Sequence, residues 1–208
     1  MLSNFRERVS IRGFPTMRPL RLLSILLLVA FGLHTPLGAD GADTLRDLKG
    51  DAVNLATLGA GKVCVFIFTR KDCPVSNAYA PEVARLVADY EPKGAAFWLV
   101  YPDPDEVPEQ VRKHLQEFDY PCPALLDPTH ELVARGGVRV TPEAAVFSRE
   151  GKLLYSGRID DRYLDYGRKR AKAQTQDLAN AITAALANQR VPRPTGPAVG
   201  CLIADLKK

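Results

Sequence analysis

Val63 to Phe68 forms an unbroken apolar run, β-branched and aromatic, with no polar position inside it. A strand with one wet face would alternate, so this run predicts a strand buried on both faces. Ala95 to Tyr101 repeats the pattern, and Ala124 to Leu126 gives a short third strand that stops at Asp127-Pro128. Helical spacing fills the gaps. From Asn77, Val83, Leu86, Val87 and Tyr90 fall on one face; after Pro108, Val111, Leu115 and Phe118 do the same. His130 to Arg135 predicts a short helix closed by Gly136-Gly137. Ala144 to Phe147 and Lys152 to Gly157 flank Arg149-Glu150-Gly151 as a hairpin, and Asp177 to Gln189 closes the pattern as a helix with Leu178, Ile182, Ala185 and Leu186 inward. Before the first strand, Asp40 to Gly61 is polar and glycine-punctuated and predicts short strands in a hairpin; Arg158 to Thr175 is charged and tyrosine-rich.

Strands that alternate with helices and then give way to a hairpin predict an α/β fold, a central mixed sheet with helices on both faces. The domain is expected over residues 40–190, followed by a Pro/Gly-rich tail, 191–208, that carries Cys201. Residues 1–39 follow a different logic. Five arginines precede an apolar run from Leu22 to Leu33, and Gly38-Ala39 gives a small-residue exit. That run falls short of the ~20 residues a bilayer-spanning helix needs, so a cleaved signal peptide is expected, with Met17 as an alternative start. Export to a periplasmic or extracellular setting follows, without a stable membrane anchor.

The formal charge of +4 changes meaning once the leader is set aside. Residues 1–39 hold five of the 28 basic and one of the 24 acidic side chains, which leaves 23 of each. A balanced domain gives nucleic acid no electrostatic footing. His114 and His130 lie apart and His34 belongs to the leader, so no metal cluster is expected, and no cofactor is implied. Arg168, Lys169, Arg170 and Lys172 read as a solvated basic run.

The four cysteines carry the chemistry. Cys73 sits where the first strand turns into a helix, and free backbone N–H groups at a helix start favour thiolate over thiol. Arg70 and Lys71 act in the same direction and Asp72 against it. Cys64, inside the strand, reads as packing, and Cys122, between Pro121 and Pro123, reads as a buried structural thiol and the alternative partner for Cys73. Ser76 either hydrogen-bonds the Cys73 sulfur or caps the helix.

Asp72-Cys73-Pro74-Val75-Ser76, taken with Thr141-Pro142 and the closing hairpin and helix, resembles the thioredoxin-like superfamily. Within it the chain is similar to the redoxin branch that holds the alkyl hydroperoxide reductase and thiol-specific antioxidant proteins. The resemblance covers about residues 45–190 and implies a thioredoxin fold, with Cys73 as the attacking cysteine and Pro142 as the cis-proline that faces it. It further implies Pro74, Thr141 and Arg139 on the substrate side of the site, Arg139 reaching toward Cys73 to lower its pKa as an arginine does in peroxiredoxins, although Arg139 taken alone reads as a solvated strand end.

The departures from the family pattern set the question. A thioredoxin pair is Cys-x-x-Cys, and Ser76 stands in the second place. Peroxiredoxins carry Pro-x-x-x-Thr-x-x-Cys, and Phe66 and Arg70 stand where proline and threonine belong, with Thr69 one place off. The copper-delivering branch carries Cys-x-x-x-Cys, and residue 77 is asparagine. A resolving cysteine delivered from the tail, Cys201, would replace the one missing at Ser76.

The expected function is therefore an exported thiol-disulfide oxidoreductase that uses Cys73 as nucleophile, with Cys201 or an external thiol reductant as resolver. Its partners would be protein thiols and disulfides or small peroxides. Two readings stay open beside it: a peroxiredoxin-like thiol peroxidase, and a non-catalytic thioredoxin-fold binding module.

Overall fold

The computed structural model describes residues 45–206; the leader 1–39, with its alternative start at Met17, lies outside them. Six strands form the main sheet: β1 (Arg46–Asp47), β2 (Val63–Phe68), β3 (Ala95–Tyr101), β4 (Ala124–Leu126), β6 (Glu143–Phe147) and β7 (Leu153–Gly157), in the order β1-β4-β3-β2-β6-β7. β2, β3 and β4 run parallel, while β6, β7 and β1 are antiparallel to their neighbours. This is the mixed sheet that the alternation of strands and helices predicts.

β2 is central and buried along its whole length, and its two faces serve different layers. Val63, Val65 and Ile67 pack with residues of α2 (Ala80–Tyr90), α3 (Pro108–Glu117) and α5 (Asp177–Leu186). Cys64, Phe66 and Phe68 point the other way, toward Trp98, Leu132 on α4 (Glu131–Gly136) and the segment from Leu45 to Leu58. Period-two geometry thus turns one apolar run into the centre of two cores. Gly136 lies where α4 meets the sheet, its missing Cβ allowing Ala145 and Phe68 to approach.

The helix after β2 begins three residues before the position that apolar spacing predicts, and it is broken. α1 (Pro74–Ala78) starts directly after Cys73, because proline at the first helical position has no N–H to lose and a preset φ. Tyr79 interrupts it before α2, where Pro81 offers no N–H to the carbonyl of Asn77. Spacing alone does not reveal a helix start that depends on a cap and a proline.

The expected hairpin before β2 is reduced to β1 and a single bridge between Arg46 and Ala52. Asp47 turns the chain there by accepting from the amides of Lys49 and Asp51 at 2.8 and 3.0 Å. The charged region after β7 contains a small hairpin that the pattern did not predict, β8 (Tyr163–Asp165) and β9 (Arg168–Lys169). The tail is also more ordered than its composition suggests. It ends in β10 (Cys201–Leu202), which pairs antiparallel with β5 (Val140–Thr141).

Among the described residues no helix is long and apolar enough to cross a membrane, and no group of three or more His, Cys, Asp or Glu is placed to hold a metal.

Candidate functional site

Cys73 caps α1 in an extended conformation, so its side chain turns back over the first helical turn. The amide of Ser76 donates to its sulfur at 3.5 Å. The Ser76 hydroxyl is buried without a hydrogen-bond partner. As a thiol, Cys73 donates to the Thr141 carbonyl at 3.1 Å. Thr141 precedes Pro142, and the bond between them is cis. The motif loop and the proline loop, 68 residues apart, therefore meet at one sulfur.

The second sulfur arrives from the tail. Register places Cys201 opposite Thr141 and Leu202 opposite Val140, and the Cys201 thiol donates to Cys73 Sγ at 2.7 Å. Gly200 makes this approach possible, because a Cβ at that position would collide with the carbonyl of Thr141. The Ile203 amide continues the pairing onto the Arg139 carbonyl at 3.0 Å. No disulfide joins the two cysteines in this structure, and the pairing of β10 with β5 brings their sulfurs together.

The electrostatics of the pair are asymmetric. Burial raises the cost of ionising Cys73, yet donation from the Cys201 thiol and from Ser76 outweighs it, and the Cys73 pKa falls below the ordinary thiol range. For Cys201 the shift has the opposite sign: burial and its hydrogen bond to Cys73 both favour the protonated form. One sulfur is set up as thiolate and the other as its proton donor.

The two cations expected to assist are engaged elsewhere. Lys71 pairs with the buried Glu106 carboxylate at 2.8 Å, and Arg70 pairs with Asp72 and Asp103 at 3.2 and 3.7 Å. Hydrogen bonding, rather than a neighbouring cation, lowers the Cys73 pKa. Arg139 contributes through its backbone: its amide donates to Glu143 at 2.7 Å and its carbonyl accepts from Ile203, while its side chain lies in an exposed stretch. Pro74 starts α1 directly after Cys73.

The other two cysteines stand apart from this pair. Cys122 is buried in the helix-packed core, and burial pushes its thiol up to about 12. Cys64 lies in the opposite core, where burial also raises its pKa. The structure brings Cys201, and not Cys122, into contact with Cys73.

Sequence pattern gave no sign of the buried polar chain that braces the motif loop. Tyr101 Oη pairs with His114 Nδ1 at 2.8 Å, His114 Nε2 pairs with Asn77 Oδ1 at 2.9 Å, and Asn77 Nδ2 donates to the Lys71 carbonyl at 3.0 Å. Nor did it single out Tyr166, whose hydroxyl donates to the Gly200 carbonyl. The one available signal was glycine directly before Cys201, a residue that permits close backbone approach.

Fold and site together describe a thioredoxin-like protein whose two sulfurs come from distant parts of the chain. Residues 42–156 match the model of the AhpC/TSA family, more than half of the sequence, and the chain belongs to that family, in the redoxin branch of the thioredoxin-like superfamily. No curated protein matches the sequence. Among solved structures, an uncharacterized conserved protein from Geobacillus kaustophilus is 28% identical with a TM-score of 0.68, the match covering 79% of this chain and 88% of that one. A hypothetical protein from Sinorhizobium meliloti is 26% identical with a TM-score of 0.65, covering 76% and 88%. A thioredoxin candidate from Neisseria meningitidis shares the fold at 22% identity and a TM-score of 0.52, covering 69% of this chain and 86% of its own.

Proposed function

We propose that the protein is an exported thiol-disulfide oxidoreductase that works through Cys73 and Cys201. The observation that carries this reading is the 2.7 Å approach of the two sulfurs, with the donor on Cys201 and the acceptor on Cys73. The Cys73 thiolate attacks a substrate disulfide; a Cys73–substrate S–S bond forms, the substrate S–S bond breaks, and the leaving sulfur departs as a thiolate that takes a proton from water. Cys201 then loses its proton to solvent and attacks Cys73 Sγ. The Cys73–Cys201 bond forms, the mixed bond breaks, and the substrate leaves with both sulfurs reduced. An external dithiol returns the pair to its starting state. The tail supplies what Ser76 withholds from the motif.

Trapping tests the reading directly. The Cys201→Ser protein incubated with glutathione disulfide should accumulate a glutathione adduct on Cys73, while the unaltered protein should pass on to an internal disulfide. An adduct that persists equally in both would remove Cys201 from the mechanism.

A thiol peroxidase is the second reading, and it rests on the cover over Cys73. The sulfur is 0% exposed, and Ser76 and Thr141, which touch it, each carry a buried hydroxyl without a partner. A small polar oxidant suits that surrounding better than a large one. Attack on a peroxide would give the sulfenic acid and an alcohol or water, after which Cys201 would displace water to form the same disulfide. Dimedone labelling of Cys73 after mild peroxide, in Cys201→Ser protein, separates the two.

A further inference from the structure

An attacking sulfur that is wholly buried needs a route to its substrate, and Cys201 of the tail is seated directly on the Cys73 sulfur. Its attachment is unlike a core contact. Leu202 is 75% exposed, and Cys201 and Ile203 on either side of it are only partly buried at the edges of the two cores. The segment is kept down by backbone pairing of Cys201 and Ile203 with β5 and Arg139. The hydroxyl of Tyr166 adds a bond to the Gly200 carbonyl. Tyr166 stands in the turn between β8 and β9 and is 60% exposed.

Further back, the tail is anchored firmly. The Thr195 amide donates to Asp177 Oδ1 at 2.9 Å, Arg158 reaches the Thr195 hydroxyl, and Arg158 Nε pairs with Asp177 Oδ2 at 2.8 Å. Between this anchor and β10 the chain holds Gly196, Pro197 and Gly200 and no regular element. A fixed root, a glycine-bearing connection and a tip held by backbone pairing and partly buried side chains together define a strap. Segments held by exposed backbone bonds and few apolar contacts are those that open first.

We infer that residues 196–203 form a latched strap over Cys73, with Tyr166 as the latch, and that a polypeptide disulfide reaches the sulfur only after β10 peels away from β5. The inference rests on Cys73 being the attacking sulfur, and it deepens that reading by assigning the site its gate. Peeling moves Cys201 with the strap, so opening for substrate and closing for resolution are the same hinge motion in two directions. It also bares the backbone groups of Val140 and Thr141 that β10 had paired. Small reagents need only a brief local opening, whereas large ones need the strap fully displaced.

The test measures access to Cys73 in the reduced full chain, in a Cys201→Ser background so that Cys73 is the sulfur read out. Alkylation is followed with iodoacetamide and with a maleimide bearing a long polyethylene-glycol chain. Tyr166→Phe should speed the bulky reagent about fivefold, the equivalent of one lost hydrogen bond, and Gly200→Val more than tenfold; iodoacetamide should gain less in both. Cys64 and Cys122 must stay unmodified, which certifies the fold. If Gly200→Val fails that check, Tyr166→Phe, an exposed change, decides alone. Equal rates for parent and folded variants with the bulky reagent would overturn the strap. Because no disulfide forms in this experiment, its failure is distinguishable from failure of the Cys73–Cys201 mechanism.

Discussion

Cys201 Sγ and Cys73 Sγ lie 2.7 Å apart although 128 residues separate them in sequence. Their contact is a consequence of strand register: β10 places Cys201 opposite Thr141, and the Thr141 carbonyl is the group to which the Cys73 thiol donates. The motif that lacks a second cysteine thus has a sulfur from the tail beside it.

Cys201 is one of the hydrogen-bond donors that lower the Cys73 pKa against burial. Burial works against ionisation and donation from Cys201 and Ser76 overcomes it. Replacing Cys201 by alanine removes a donor that favours the charged form, so the Cys73 pKa should rise. The pH profile of Cys73 alkylation by iodoacetamide should shift to higher pH in Cys201→Ala, whereas Cys201→Ser, which retains an O–H donor, should shift less.

His114 links β3 to the motif loop through Tyr101 and Asn77, and burial lowers its pKa. The folded state therefore binds this proton less readily than the unfolded chain. Stability should fall as pH drops from the ordinary histidine range to the lowered folded value, and then level off. His114→Leu should abolish that dependence and cost about 1–3 kcal/mol in denaturant titrations, because Tyr101 and Asn77 lose their buried partner.

Asp177 anchors the root of the tail. Burial raises its pKa, but the Thr195 amide and Arg158 pull it below the usual carboxylate range. The stabilisation is full above the unfolded value and is lost as pH falls through the folded one. Asp177→Asn should cost about 2 kcal/mol near neutral pH, for the loss of charge-assisted bonds. It should also reduce acid sensitivity and slow closure of the Cys73–Cys201 bond after oxidation, measured by thiol quenching.

Much of the fold was legible because β2, β3 and β4 are buried on both faces and advertise it as unbroken apolar runs. The bounds of β3 and β4 follow from sequence alone. Elements held by polar or backbone contacts were not legible. α1 depends on Cys73 as cap and Pro74 as first residue, β8 and β9 sit among charges, and β10 is two residues long with one of them exposed. At the site, Cys73, Ser76, Thr141 and Pro142 are recognisable by local motif. Arg139 acts through its backbone, which residue type does not reveal. Cys201 is a candidate because a tail rich in proline and glycine can deliver it, yet its register depends on Gly200 clearing the Thr141 carbonyl, a tertiary fact. Tyr166 had no pattern to betray it.

The mechanism turns on which sulfurs pair. Non-reducing peptide mapping of the full chain after oxidation with glutathione disulfide measures this most directly. The predicted map holds one internal bridge, Cys73 to Cys201, with Cys64 and Cys122 recovered as free thiols. Four free thiols, or a bridge from Cys73 to Cys122, would contradict it.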